Sequence, residues 1–195
     1  MLLDHGADPN AADGRGSALH TLAWLRKPGS DGANGLGRRS YGPPLPTGKM
    51  SALELAKALL DHGANPNKRM EMEERPGGGG GDGAMRNPPL IQLGRHYLTF
   101  SGATPFYLAA RNGDAPYMRL LVEHGADPKI PTIQGVTPLI AAAGLDHWEG
   151  ESAGPYTGVS ETERLEAVKL ALELGNDINA AANYCECEME RKRPK

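Results

Sequence analysis

Three histidines stand before three near-copies of one phrase. His5 precedes Gly-Ala-Asp-Pro-Asn, His62 precedes Gly-Ala-Asn-Pro-Asn, and His124 precedes Gly-Ala-Asp-Pro-Lys. Imidazole is a good zinc ligand, but zinc draws its nitrogens to about 2.0 to 2.1 Å. Equivalent positions on stacked helices lie about 8 to 10 Å apart. Three such histidines in a row cannot share one ion, and the pattern reads as exposed helix ends. Cys185 and Cys187, the chain's two cysteines, could offer two thiolates, with His147 as a third ligand. Nothing fixes a four-ligand set, and the pair is too close for a stabilising disulfide framework. The expectation is a solvated tail and no metal.

Gly42-Pro-Pro-Leu-Pro-Thr-Gly48-Lys49-Met50-Ser51 has the glycines and lysine of a phosphate-binding loop, set before an expected helix from about Lys49 to His62. It fails on chemistry. The glycine spacing is one residue too long, Met50 stands where a hydroxyl would meet magnesium, and three prolines remove N–H groups that would cradle phosphate. Arg191-Lys-Arg-Pro-Lys195 could contact nucleic acid, yet Glu186, Glu188 and Glu190 offset it and the net charge is −3. No serine, cysteine or carboxylate pair sits in a nucleophile or acid–base motif. The chain is therefore expected to be noncatalytic and to need no cofactor.

The repeated phrase has a structural meaning. Glycine reaches the left-handed conformation at no steric cost and stops a helix, so Gly6, Gly63, Gly125 and Gly175 are expected helix ends. Asp8, Asn65, Asp127 and Asp177 then turn the chain by bonding nearby backbone. A second phrase opens helices: Gly102-Ala-Thr-Pro-Phe-Tyr-Leu-Ala-Ala110 and Gly135-Val-Thr-Pro-Leu-Ile-Ala-Ala-Ala143. Thr104 and Thr137 suit the N-cap, with Pro105 and Pro138 at the first helical position. Ser160-Glu-Thr-Glu163 is a capping box for a helix to about Leu174, whose Leu165, Val168 and Leu172 are expected to face the core. A helix from Ala115 to His124 should turn Met118, Leu121 and Val122 inward. Ala109, Ala110, Ala142 and Ala143 are small where helices should approach closely.

Thr104 and Thr137 lie 33 residues apart. With the Leu-Leu-x-x-Gly-Ala-Asp helix end, the Gly-x-Thr-Pro-Leu-x-x-Ala-Ala phrase at this period resembles the ankyrin repeat. Ser17-Ala-Leu-His20 is a weaker copy of the helix-opening phrase. The resemblance implies an all-α repeat solenoid, a stack of helix-turn-helix units over residues 1–182, whose repeat segments without their insertions cover about half to three fifths of the chain. Successive glycine stops are 57, 62 and 50 residues apart, each interval longer than one unit, so each holds an insertion. The insertions fall at about 26–48, 68–98 and 146–160. The first and third should leave from one edge of the stack, and the second should replace the hairpin between the second and third units. The chain's 26 glycines and 16 prolines together exceed average usage, and the surplus sits in these insertions, including the run Gly77 to Gly81.

Residues 183–195 read as a disordered tail. In repeat register Met1 falls late in a second helix, which gives the expectation that the chain is a piece of a longer ankyrin-repeat protein. No run of about 18 apolar residues suggests a membrane span, and a cytoplasmic monomer is the default expectation, with export open.

What the resemblance implies about function is binding of a protein partner through hairpin tips and first-helix faces. The family's contact positions carried over onto this sequence are Phe100, Ser101, Ala103, Arg111 and Asn112 in the clearest unit, and Ile133, Gln134, Val136 and Leu145 in the next. Trp24 matches Arg111 in the earlier copy. Aromatics and arginine are frequent binding hot spots. The second reading is a regulatory or substrate-recruiting segment of a larger enzyme whose catalytic domain lies elsewhere.

Overall fold

The computed structural model describes residues 2–13, 16–26, 48–71, 101–144 and 159–182. A short 3-10 helix, Leu3–His5, is followed by two antiparallel two-residue strands, β1 (Ala12–Asp13) and β2 (Gly16–Ser17). Six helices come next: α1 (Ala18–Arg26), α2 (Ala52–Asp61), α3 (Pro105–Arg111), α4 (Ala115–Glu123), α5 (Pro138–Ala142) and α6 (Glu161–Glu173). The helices pack in sequential pairs, α1 on α2, α3 on α4 and α5 on α6. The first helices of the pairs also follow one another, α1 against α3 and α3 against α5, while α4 packs on α6. Among the described residues no helix is long and apolar enough to cross a membrane.

The helix boundaries follow from local chemistry. The hydroxyls of Thr104 and Thr137 accept hydrogen bonds from the N–H groups of Tyr107 and Ile140, at 3.1 and 3.3 Å. Pro105 and Pro138 follow at the start of each helix, where a missing N–H leaves no bond unmade. Ser160 and Glu163 form the expected capping box, and Ser51 and Glu54 form a second one. Each such cap stabilises its helix by about 1 kcal/mol. At the other ends Gly63 and Gly125 take φ of 88° and 86°, a region that a side chain would resist. The left-handed turn lets the next two N–H groups fold back. Gly63 and Ala64 donate to the carbonyls of Leu60 and Leu59, both at 2.9 Å, and Gly125 and Ala126 repeat the arrangement on Val122 and Leu121.

One core runs through the helix pairs. Leu19 of α1, Phe106, Tyr107 and Leu108 of α3, and Tyr117, Met118 and Leu121 of α4 are fully buried. Ala109, Ala110, Ala141 and Ala142 are also fully buried, which allows the close approach of α3 and α5. Ala143, expected in the same role, is exposed because α5 ends at Ala142.

Helix α6 is turned by about one residue from the expected facing, and of the expected stripe only Val168 packs against the core. Its buried residues are Arg164, Ala167, Leu170 and Ala171, whereas Leu165 is 51% exposed and Leu172 lies at the surface. Packing on both α4 and α5 calls for small residues, and the two alanines supply them. The leucine stripe, about one residue away around the helix, is turned outward.

The hairpin between the second and third units differs too. It was expected to be replaced by the insertion, but Met70 donates to the Ala103 carbonyl and Gly102 donates to that of Met70, both at 2.8 Å. The base of the hairpin is therefore kept, closed across the intervening sequence. Most of the three expected insertions, the tail at 183–195, Phe100 and Leu145 lie outside the described residues.

Candidate functional site

Two regions of the protein carry polar order: the loops that follow the helix stops, and the corner where α1, α3, α5 and α6 converge. In the loops, Asn10 and Asn67 occupy the same place in successive phrases and make the same two bonds. The Asn10 carboxamide donates to the Gly63 carbonyl at 2.9 Å and accepts from the Asn65 N–H at 2.6 Å. Asn67 does the same to Gly125 and Asp127, at 2.9 and 2.7 Å. Each asparagine thus satisfies two backbone groups that the helix stop of the next unit leaves open.

Lys129 stands at the third such place and has no carboxamide. There Asn176 takes over, donating to the Pro128 carbonyl at 3.1 Å and to that of Ala171 at 3.0 Å.

The repeated histidines belong to the same row. His62 Nδ1 meets the Ala58 carbonyl at 2.8 Å, and its Nε2 lies 3.4 Å from Asp4. His124 lies 3.9 Å from Asp61. Each faces a carboxylate of the preceding unit. Among the described residues no group of three His, Cys, Asp or Glu is placed to hold a metal ion.

His20, in the weaker copy of the helix-opening phrase, is fully buried. Its Nδ1 accepts from the Ser17 N–H at 3.0 Å, so the proton resides on Nε2, which donates to the Ala103 carbonyl at 3.2 Å. Burial pushes its pKa down to about 4, an effect the bond to Ala103 only partly offsets. The ring is neutral at pH 7 and ties α1 to the next hairpin.

The helical corner brings Trp24 and Arg111 together. The Arg111 guanidinium lies 5.8 Å from the centre of the Trp24 ring, within cation–π range. Both are almost wholly buried, at 4% and 5% exposure, so they meet each other before they could meet a partner. Asn112 is also buried and donates to the Ala23 carbonyl at 2.9 Å. Ala103 and Val136 are fully buried within the hairpin bases. Of the positions carried over from the resemblance, Ile133 is open, at 58% exposure, with Ser101 and Gln134 half-buried nearby. The Ile133 N–H donates to the Ser101 carbonyl at 3.1 Å, joining the two hairpin tips. Arg69 reinforces the junction, donating to the Gly102 carbonyl at 3.1 Å and to that of Pro131 at 2.7 Å.

Four residues at the corner were not legible as a group. Arg26 donates from Nε and Nη2 to the two oxygens of Asp114, at 2.6 and 2.8 Å. Tyr117 lies beneath Arg26, and its hydroxyl donates to the Leu19 carbonyl at 2.8 Å. Burial raises the phenol well above its ordinary range and keeps it protonated. Arg164 reaches in from α6 to the Ala142 carbonyl at 3.3 Å. In the sequence Arg164 sits among Glu161, Glu163 and Glu166 and reads as part of a solvated helix face. No short-range signal marks it.

Helices that pack in sequential pairs and are stopped by one recurring glycine turn fit a helical repeat protein. The family is also recognisable by comparison: the sequence model described as Ankyrin repeat matches residues 101–133, the span that holds α3 and α4. Residues 101–133 are thus similar to an ankyrin repeat. Ankyrin repeats are in general protein–protein interaction modules. No curated protein matches the chain.

Proposed function

We propose that the chain is a noncatalytic protein-binding module in which the three helix pairs stack as a short solenoid and present their hairpin tips to a protein partner. The observation that carries this reading is the Ile133 tip. A large apolar side chain stands in solvent at 58% exposure on a backbone held rigidly by Ser101 and, through Arg69, by Pro131. A preorganised apolar anchor costs little ordering entropy on binding. Trp24 and Arg111 contribute by fixing the shape of the first-helix row.

The test is affinity capture from a lysate of the native host, comparing the wild-type chain with Ile133→Asp. Substitution at an exposed tip should leave helicity unchanged. Proteins retained by the wild type and lost with Ile133→Asp support the reading. An identical retained set would show that binding does not use this tip. Retention no higher than on an unrelated helical protein would overturn the module itself.

A further inference from the structure

The four helix-stop loops are joined in series, and the first and last of them carry complementary groups that nothing fills. Four residues after the glycine stand Asn10, Asn67, Lys129 and Asn179. The carboxamides of Asn10 and Asn67 each bond two groups of the following loop, the glycine carbonyl and the N–H two residues beyond it. Both asparagines are half-buried by that contact, whereas Asn179 is exposed. Among the described residues its carboxamide has no partner. The first loop is its counterpart. Gly6 and Asp8 supply the same carbonyl and N–H, and among the described residues neither group is bonded.

The histidines are staggered in the same sense. His62 and His124 face Asp4 and Asp61, each the carboxylate that stands two residues before the glycine of the preceding loop. Among the described residues Glu173, the last carboxylate at that place, meets no histidine, and His5, the first histidine, meets no carboxylate. The apolar places agree. Leu2, four residues before its glycine, is 79% exposed, although Leu59 and Leu121 at the same place are buried. Leu172 lies at the surface where Leu60 is buried, and Ile178 is 73% exposed where Pro9, Pro66 and Pro128 are half-buried.

We propose that the last helix-stop loop, with the adjoining face of α6, receives the first loop of a second copy of this chain, head to tail, in place of the monomer expected from the sequence. The Asn179 carboxamide bonds the Gly6 carbonyl and the Asp8 N–H of the second copy, and Glu173 faces the His5 of that copy. The apolar surfaces of Leu172, Ile178 and Leu2 leave water in the contact. Each polar contact repeats one that the chain already makes between its own loops, which selects a second copy over an unrelated protein. The two surfaces differ, so the contact is heterologous and continues beyond two chains. None of these residues belongs to a hairpin tip, so the self-contact stands or falls apart from the protein-binding reading.

Sedimentation equilibrium of the full chain, from about 1 μM to about 1 mM, tests this. The mean mass should rise with concentration past that of two chains. Asn179→Ala removes both bonds to the next copy and should weaken association about tenfold. Ile178→Asp closes the last loop to a partner and Leu2→Asp closes the first, and at such exposed places both should leave the fold intact. Each of these two variants alone should stay monomeric. Their equimolar mixture should form a complex that stops at two chains, because one open surface remains on each.

A wild-type mass that stays at one chain over the whole range overturns the proposal, whatever else covers the α6 face. Self-association of either aspartate variant alone would show a two-fold contact and overturns it too. So does a mixture that forms no complex, or Asn179→Ala associating as tightly as the wild type.

Discussion

Arg26 and Asp114 are 88 residues apart in the chain and are joined by two hydrogen bonds of 2.6 and 2.8 Å. The Asp114 carboxylate is wholly buried, and it also caps α4 by accepting from the Tyr117 N–H at 3.3 Å. One side chain thus starts a helix and fastens it to the end of α1.

Asp114→Ala should therefore be among the most damaging substitutions. It leaves the mostly buried Arg26 without its partner and removes the cap, for an expected loss of about 3 to 5 kcal/mol. Chemical denaturation of the two proteins measures this directly. Arg26→Met keeps the cap but leaves the wholly buried Asp114 carboxylate without its partner, so it should also cost about 3 to 5 kcal/mol. A loss below about 1 kcal/mol for either variant would mean that the pair does not fasten α4 to the end of α1.

The loop ladder predicts opposite signs at equivalent positions. Asn67→Ala removes a donor to Gly125 and an acceptor from Asp127, and should lower stability by about 1 to 2 kcal/mol. Lys129→Asn places the missing carboxamide beside Gly175 and Asp177, where Lys129 Nζ now lies about 3.1 Å from the space a Gly175 Cβ would fill. It should raise stability by about 0.5 to 1 kcal/mol. A shift of the denaturation midpoint in the same direction for both variants would refute the equivalence of the two sites.

His20 gives the chain a pH-dependent stability. Its pKa is 6.5 in the open and about 4 when folded. Between these values the unfolded chain takes up a proton that the folded chain refuses. The contribution is thus intact above pH 6.5 and is lost as the pH falls towards 4, by about 3 kcal/mol in all. In His20→Gln this slope should disappear. The stability difference between wild type and variant, measured by denaturation from pH 7 to pH 4, should shrink by that amount as acid is added. A constant difference over the window would show that the imidazole is not held neutral.

Much of the fold can be read along the chain because its signals are local. A threonine before a proline, a serine three residues before a glutamate and a glycine after a leucine-rich stretch each act within one or two turns of backbone. The boundaries of α3, α4 and α6 follow from them. The 33-residue interval from Thr104 to Thr137 rests on the same signals, and the ankyrin repeat at residues 101–133 lies across it.

The facing of α6 was not legible, since Leu165, Val168 and Leu172 form as good a stripe as Arg164, Ala167 and Ala171. Only the close approach of α4 and α5 favours the smaller set. The candidate site divides in the same way. The exposed Ile133 tip sits where the resemblance placed a contact, but the burial of Trp24 and Arg111 against each other depends on α1 meeting α3.

The sequence by itself determined where the helices begin and end and that the helix-opening and helix-stopping phrases recur, because capping and glycine turns are contacts between near neighbours. Tertiary structure alone decided which side chains are enclosed and which charges find partners. It joined Arg26 to Asp114 across 88 residues and enclosed Arg164 with two of its nitrogens unpartnered. Burial and ion pairing depend on what the next helix brings, and in a chain whose units are separated by long insertions that neighbour is far away in sequence.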